Sequence, residues 1–439
     1  MEAHLLPCRN NVGTFYGGSM NIKCDRKIIA AFLAAFILIV QIVTPDAQAQ
    51  DEVLVLGGSG WHCGEDPDCF NRLHPDIPMA GRARPGQTIL LKTRNALDAQ
   101  MDPESTYVDE RFDDPVVGTV HPLTGPVYIE GAEPGDVLAV TILDIEPGRF
   151  GQTRITGNAF VGDQIPGPFS VLWRLNRREA ISDDLPGVRI PNGSFPGIVT
   201  VLPGSEQVSA VVTRESALAD EGGTAALPES THAVPVDICG PQGSRRTECL
   251  RTGPPREHGG NMDIRYLGVG VTIYLPCYIE GCGLGVGDLH FAQGDGEVAG
   301  TAIEMDADVT LTTDLIKDGS AFERGPHYEG PARLMDIPSR RFYATTGLPI
   351  KSAGELPPDM AYLDSPKAAA LENLSKDISL AARNALLEII DYMVDTYGLT
   401  PQQAYIVASV AVDLRIGQLV DAPNVGVTAI LPLDIFDEN

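Results

Sequence analysis

The stretch HGGNMDIRYLGVGVTIYLPCYIEGCGLGVGDLHFAQGDGEVAGTAIEM spans His258 to Met305. Its middle, GVTIYLP (Gly270–Pro276), is a β-branched and aromatic run bounded by glycine and proline, which predicts a strand. LHFAQ (Leu289–Gln293) and EVAGTAIEM (Glu297–Met305) read the same way. Glycines punctuate every join, so the segment is expected to be strands linked by tight turns. Residues two apart on a strand share a face. Asp288 and His290 should therefore point together, and so should Gln293, Asp295 and Glu297 if the turn between them stays extended. His258, Asn261 and Asp263 sit on a glycine-flanked turn able to fold over them.

The pattern continues outward. TILLKTR (Thr88–Arg94), PVYIEG (Pro126–Gly131), VLAVTILDI (Val137–Ile145), GIVTVLP (Gly197–Pro203) and ADVTL (Ala307–Leu311) are further short β-prone runs. Pro85-Gly86 and Pro134-Gly135 supply turns before two of them. No repeat period marks a solenoid. After residue 364 the character changes. Ser365-Pro366 reads as a helix start. Leu371, Leu374, Ile378, Ala381, Ala385, Ile389 and Met393 follow at helical spacing, and Gly398 supplies the stop. Thr400-Pro401-Gln402-Gln403 is a capping box opening a second helix, and GVTAILP (Gly426–Pro432) returns to strand. The expected class is α+β and β-dominated, with sandwich- or barrel-like β domains and a helical C-terminal segment. The expected division is an N-terminal β-rich half (50–214), a Gly/Pro-rich, disulfide-tied excursion (215–257) and a C-terminal half (258–439) carrying the site motifs, the helices and a final strand.

Residues 1–49 read as a targeting segment. Lys23, Arg26 and Lys27 precede an apolar run from Ile28 to Val43, and Ala47-Gln48-Ala49 forms a small-x-small cleavage site. This is the order of a secretory signal peptide, with Met20 as the expected start. The run is short for a membrane span, so no stable span is expected after cleavage, and the protein is expected to be periplasmic or secreted. Two of the eight cysteines, Cys8 and Cys24, fall there. The remaining six come as close pairs, Cys63 with Cys69, Cys239 with Cys249 and Cys277 with Cys282, which in an exported chain suggests disulfides. No C-x-x-C is present to form a zinc ribbon.

With 59 acidic against 32 basic residues the net charge is −27. Such a surface repels phosphate backbones and excludes nucleic acid as a partner. There is no G-x-S-x-G elbow, P-loop or complete dinucleotide fingerprint, and no organic cofactor is expected. Asn192-Gly193-Ser194 fits a glycosylation acceptor.

The polar residues of His258–Met305 suit a site built on strand ends and tight turns. His258, Asp263, Asp288 and His290 are the candidate ligands of a divalent metal, zinc or calcium. Glu304, at the end of an apolar run, is the candidate general base and acid, with Asp295 and Glu297 as further catalytic candidates. Asn261 and Gln293, each both donor and acceptor, are candidates for substrate binding, and His121 for lining the pocket.

The segments HGGNMDI and GDLHFAQGDGEVAGTAIE resemble the acetamidase/formamidase family. So do HPLTGPVYIEGAEPGDVLAVTILDIEP (His121–Pro147), NRLHPDIP (Asn71–Pro78) and AYIVASVAVDLRIGQLVDAPNVGVTAILP (Ala404–Pro432). They run in family order from about Asn71 to Pro432. The resemblance implies hydrolysis of small linear amides to a carboxylic acid and ammonia, a β-dominated fold with a helical C-terminal part, a bound divalent metal and a homo-oligomer. Three features depart from it: Asn95 where many members carry Asp, with Asp98 three residues on; cysteines flanking the 277–282 loop; and the secretory segment. They motivate the alternative of a calcium-dependent binding module on the same fold.

Overall fold

The computed structural model describes residues 52–98, 117–157, 159–165, 167–220, 222–319, 325–355, 369–419 and 424–437. The targeting segment and the Ser365-Pro366 helix start lie outside them. Strands dominate, as the β-prone runs predict. In chain order, those that position the site are β1 (Thr88–Thr93), β2 (Leu123–Ile129), β3 (Val137–Arg154), β4 (Phe195–Thr200), β5 (Gly259–Asn261), β6 (Thr272–Pro276), β7 (Cys282–His290) and β8 (Glu304–Ile316). All belong to one sixteen-stranded sheet that branches. Strands from before and after the 215–257 excursion interleave in it: β3 lies between β8 and β6, and β7 between β4 and β2.

The branching puts a junction at the centre. β8 runs along β3 and β1 for most of its length. β7 runs along β4 and β2. β7 and β8 meet over two pairs, Leu289 with Met305 and His290 with Glu304. β3 already pairs with β8 there, and from Ala307 onward, past a register irregularity on the β3 side, β1 replaces β7 as the other neighbour of β8. Every residue of β7 is buried, as expected for a strand covered on both faces. The junction is thus deep in the protein, sealed by a core that includes Val286, Leu289, Phe291, Ile303 and Met305.

Two sequence expectations are corrected here. LHFAQ and EVAGTAIEM are not continuous strands: β7 ends at His290 and β8 begins at Glu304. Between them the chain turns, with Gly296, Glu297 and Gly300 at positive φ values of 111°, 44° and 85°, outside the extended region. Of the helix expected after residue 365, residues 369–370 are helical, but the chain leaves the helix at 371–377 and a new one begins at Ile378. Asn373 Oδ1 accepts the Ser375 N–H at 3.0 Å and Ser375 turns left-handed, so the helical spacing of Leu371 and Leu374 is not used.

A helix missing from the sequence reading, α1 (Ser205–Asp220), runs into the expected excursion and buries Val208 and Val211. Its start signal is the Pro203-Gly204-Ser205 sequence. Beyond the main sheet, β9 (Phe342–Gly347), β10 (Asp413–Gln418) and β11 (Gly426–Pro432) form a separate three-stranded sheet in the order β9-β11-β10. Helix α2 (Ile378–Tyr397) packs on it, capped by Asp377 and stopped by Gly398 at φ 66°. Helix α3 (Pro401–Ala411) carries the predicted Thr400/Gln403 capping box. The three expected cysteine pairs are joined as disulfides, so Cys277 is not a free thiol. No helix among the described residues is long and apolar enough to cross a membrane.

Candidate functional site

The end of β7 and the start of β8 place Asp288, His290 and Glu304 together. His290 and Glu304 are cross-strand partners, so their side chains lie side by side. His290 Nε2 stands 3.2 Å from Glu304 Oε2, 3.5 Å from Asp288 Oδ1 and 3.9 Å from Asp263 Oδ1. Asp263 arrives from the turn after β5, which pairs with β4, which pairs with β7. Glu297 enters from the turn between β7 and β8 and completes a second group with Asp263 and His290. In both Asp263–His290–Glu297 and Asp288–His290–Glu304, one ligand atom from each residue lies within 4.8 Å of the others. Asp263, Asp288 and Glu297 all hold left-handed backbone, with φ of 46°, 56° and 44°. Such conformations are uncommon for residues with a Cβ and gather at functional sites.

The cluster is buried and its charges do not balance. Burial pushes the Asp263 carboxyl above its ordinary value, and so does the nearby Asp288. Burial and Asp263 raise Glu297 well above the usual range, and burial raises Glu304. Asp288 alone stays low, because His121 and His290 together outweigh its burial. Burial opposes charge on His290, but Glu304 and Asp288 overcome it and hold the imidazole well above its ordinary value. Four atoms, Asp263 Oδ1, Asp288 Oδ1, His290 Nε2 and Glu304 Oε2, are buried without a partner in hydrogen-bond geometry among the described residues. They face one another. Buried polar atoms are normally satisfied, so a donor set of three carboxylates and one imidazole fits a cation. Mixed nitrogen and oxygen ligands suit zinc, and oxygen-rich sets suit calcium.

A glycine shapes the floor. Gly197 lies in the interior of β4, and a Cβ there would meet Asp263 Oδ1 at 2.6 Å, Asp288 Oδ2 at 2.9 Å and His290 Cε1 at 2.9 Å. Its carbonyl accepts the Met262 and Asp263 N–H groups. The sequence reading placed Gly197 on a strand but gave it no role. A glycine inside a strand signals a close approach, which here is made by three site side chains. Phe195, two residues earlier, sets its ring edge-on to His290 at 5.0 Å between centroids.

The remaining candidates separate. His121 Nε2 lies 3.8 Å from Asp288 Oδ2, at the less buried side of the cluster. Asn261 donates from Nδ2 to Asp263 Oδ2 at 2.7 Å, while its own Oδ1 is buried without a partner among the described residues. Gln293 is turned inward: Nε2 donates to the Asp263 carbonyl at 2.8 Å and Oε1 meets His290 Nδ1 at 2.9 Å. Both ends of its amide are engaged by protein, so it positions His290 and Asp263 rather than holding a ligand. Asp295 does not share a face with Gln293 and Glu297. The turn carries it to Tyr266, whose hydroxyl donates to its Oδ2 at 2.5 Å, beside the Arg265–Asp413–Arg415 ion pairs. His258 is absent from both ligand groups. Its ring packs instead on Thr200, with Nδ1 2.9 Å from the hydroxyl, because β4 and β5 bring residues 200 and 259 opposite each other. Asp98 serves the fold, accepting the Cys63 N–H at 3.0 Å. A cavity of about 450 Å³ adjoins Gln293 and is lined by Arg265, Asp413, Ile190 and Leu334. None of the cluster carboxylates line it.

A buried acid–base cluster at strand ends, arranged around unsatisfied ligand atoms, is the candidate reaction centre. The chain belongs to the Acetamidase/Formamidase family, which it matches over residues 62–438, and so stands among hydrolases of carbon–nitrogen bonds in linear amides. It is 32% identical over 391 residues to the formamidase of Methylophilus methylotrophus, covering 85% of this chain and 90% of that protein. It is also 32% identical over 368 residues to the acetamidase of Mycolicibacterium smegmatis, covering 77% and 84%. Among solved structures, the gamma lactamase from Delftia acidovorans superposes with a TM-score of 0.76 at 30% identity, covering 88% of this chain and 94% of that one.

Gly197→Ala leaves the backbone conformation allowed but forces three site side chains to move. It should fold with an unchanged far-ultraviolet spectrum and lose about 100-fold or more in kcat/KM, the scale of a roughly 1 Å misplacement; an active alanine variant would contradict this placement. A second prediction concerns His258. Burial, with Arg256 beside it, holds its imidazole down to about 3. The folded protein therefore refuses a proton that the unfolded chain takes near pH 6.5. Stability should fall as the pH drops from about 6.5 toward 3, with up to about 1.4 kcal/mol per pH unit from this group. Urea unfolding of parent and His258→Gln should give slopes that differ by about that amount between pH 6 and 4, and parallel curves would exclude it.

Proposed function

We propose that the protein is an exported hydrolase that converts small linear amides, formamide-like or acetamide-like, to the carboxylic acid and ammonia. The observation that carries this reading is the convergence of Asp263, Asp288, His290 and Glu304 on one set of buried, unpartnered ligand atoms. Names borne by the relatives support the substrate class. The basic and apolar order of residues 23–49 and the three disulfides support export.

An amide resists hydrolysis because its carbonyl is a weak electrophile and its nitrogen a poor leaving group. A site must activate water, stabilise the oxyanion and protonate the nitrogen. Asp263, Asp288 and His290 would hold a divalent metal, zinc or calcium, beside Glu304. Such an ion supplies polarisation of the carbonyl and activation of water. The chain's own groups do the rest. Glu304 Oε2, in a carboxyl raised by burial, takes a proton from the attacking water and passes it to the departing nitrogen. Glu297, also raised, stands beside Asp263 as a second proton reservoir. Asn261 Oδ1 accepts an amide N–H while its Nδ2 stays on Asp263. One water is consumed, and the two products are the acid and ammonia. The cluster opens to solvent on the side of Asp263 and His121, and its tight packing around Gly197 favours short acyl groups.

The test is ammonia release from a panel of formamide, acetamide, propionamide and butyramide, with and without chelator. The expected result is fastest turnover of the shortest amides, loss of activity in chelator, and a drop of at least 100-fold in Glu304→Gln and Asp288→Asn. A parent protein that binds calcium and turns over no amide would instead make it a binding module. Parent-rate turnover by both variants would remove this cluster from the reaction.

A further inference from the structure

The two histidines that meet Asp288 have their other ring nitrogens held by different protein groups. His121 is served by Thr252, a fully buried residue in the turn before β5. The Thr252 Oγ1 accepts the His121 backbone N–H at 2.7 Å. It lies 3.4 Å from His121 Nδ1. A hydroxyl has one hydrogen. With one lone pair taken by the backbone, that hydrogen can point at Nδ1 as acceptor, and the Asp288 carboxylate facing Nε2, which can only accept, favours this arrangement. The ring hydrogen of His121 is left on Nε2, the atom 3.8 Å from Asp288 Oδ2.

His290 is held the other way. Gln293 Nε2 donates to the Asp263 carbonyl, and a carbonyl can only accept, so the orientation of this amide is settled. Its Oε1 therefore faces His290 Nδ1 as an acceptor, and the ring hydrogen sits on Nδ1. Nε2 faces the centre of the carboxylate cluster, where it carries a proton or, once that proton is lost, gives its lone pair to a metal ion. The hydrogen bond made by the far nitrogen decides what the near nitrogen offers.

We infer that Thr252 and Gln293 are positioning residues that hold His121 and His290 as opposite tautomers, so that one imidazole gives a hydrogen bond into the site and the other gives a lone pair. This rests on the amide-hydrolysis reading for its consequence. His121 Nε2–H becomes a donor for the oxyanion formed when water adds to the carbonyl, and His290 Nε2 stays a ligand. Thr252 touches neither substrate nor cation and acts through His121 alone.

Thr252→Val keeps the shape and removes the hydroxyl, whereas Thr252→Ser keeps the hydroxyl. The experiment combines imidazole 15N shifts of histidine-labelled protein with kinetics on acetamide. In the parent, His121 should show an unprotonated Nδ1 and a protonated Nε2, and His290 a protonated Nδ1. In Thr252→Val the His121 signals should move toward a tautomer mixture with those of His290 unchanged. There kcat should fall about tenfold, the effect of about 1.4 kcal/mol, with KM within about twofold, and Thr252→Ser should return kcat to within about threefold of the parent. A protonated Nδ1 on His121 of the parent would overturn the inference. So would a valine variant with unchanged shifts and kcat, or a serine variant as slow as valine. If the valine variant fails to fold, the parent shifts still decide. If the parent cleaves no amide, the functional reading fails while the tautomers are still read from the nitrogen shifts.

Discussion

Glu304 and His290 are cross-strand neighbours at the point where two branches of the sheet touch, and the rest of the site depends on that buried pair. A carboxylate and an imidazole at 3.2 Å would satisfy each other in isolation. Asp288 and Asp263 approach the same nitrogen, and Glu297 joins them. One imidazole cannot neutralise so many carboxylates away from water, where unpaired charge is costly. The protein responds by raising the proton affinity of Asp263, Glu297, Glu304 and His290. Those are the properties a cation site and a proton-transfer site both require.

The fold creates this situation by geometry. β7 is covered on both faces and flanked by β4 and β2, and β8 leaves it for β1 immediately after meeting it. Chain ends and turns converge where the strands part. Asp263 follows β5, Glu297 sits on the turn, and Gly197 leaves the space that a side chain would fill. Three acidic residues held in left-handed backbone are tolerated because the surrounding sheet over-determines their positions.

Much of this was readable from the residues. The period-two relation of Asp288 and His290, and an apolar run ending in Glu304, lead directly to the cluster. Both α2, from Ile378 onward, and α3 are legible from helical spacing and caps, as are the three disulfides from cysteine spacing. What was not legible depended on turns and on long-range pairing. Glu297 and Asp295 are two apart in sequence, yet Gly296 at φ 111° sends one to His290 and the other to Tyr266. Gln293 has the right chemistry for a substrate amide, but its partners lie 30 residues back and on its own turn. His258 stands beside the site motif, but the pairing of β4 with β5 gives it to Thr200. Thr252 carries no local signal, because its role exists only once His121, 131 residues away, is folded against it.

The claim that this buried cluster exists to hold a cation is tested most directly by anomalous diffraction from crystals of protein purified without added metal or chelator. The account predicts a peak bounded by His290 Nε2, Asp288 Oδ1 and Asp263 Oδ1, lost in Asp288→Ala while the fold is kept. Density at that position fitted by water alone, in protein that hydrolyses amides at full rate, would contradict it.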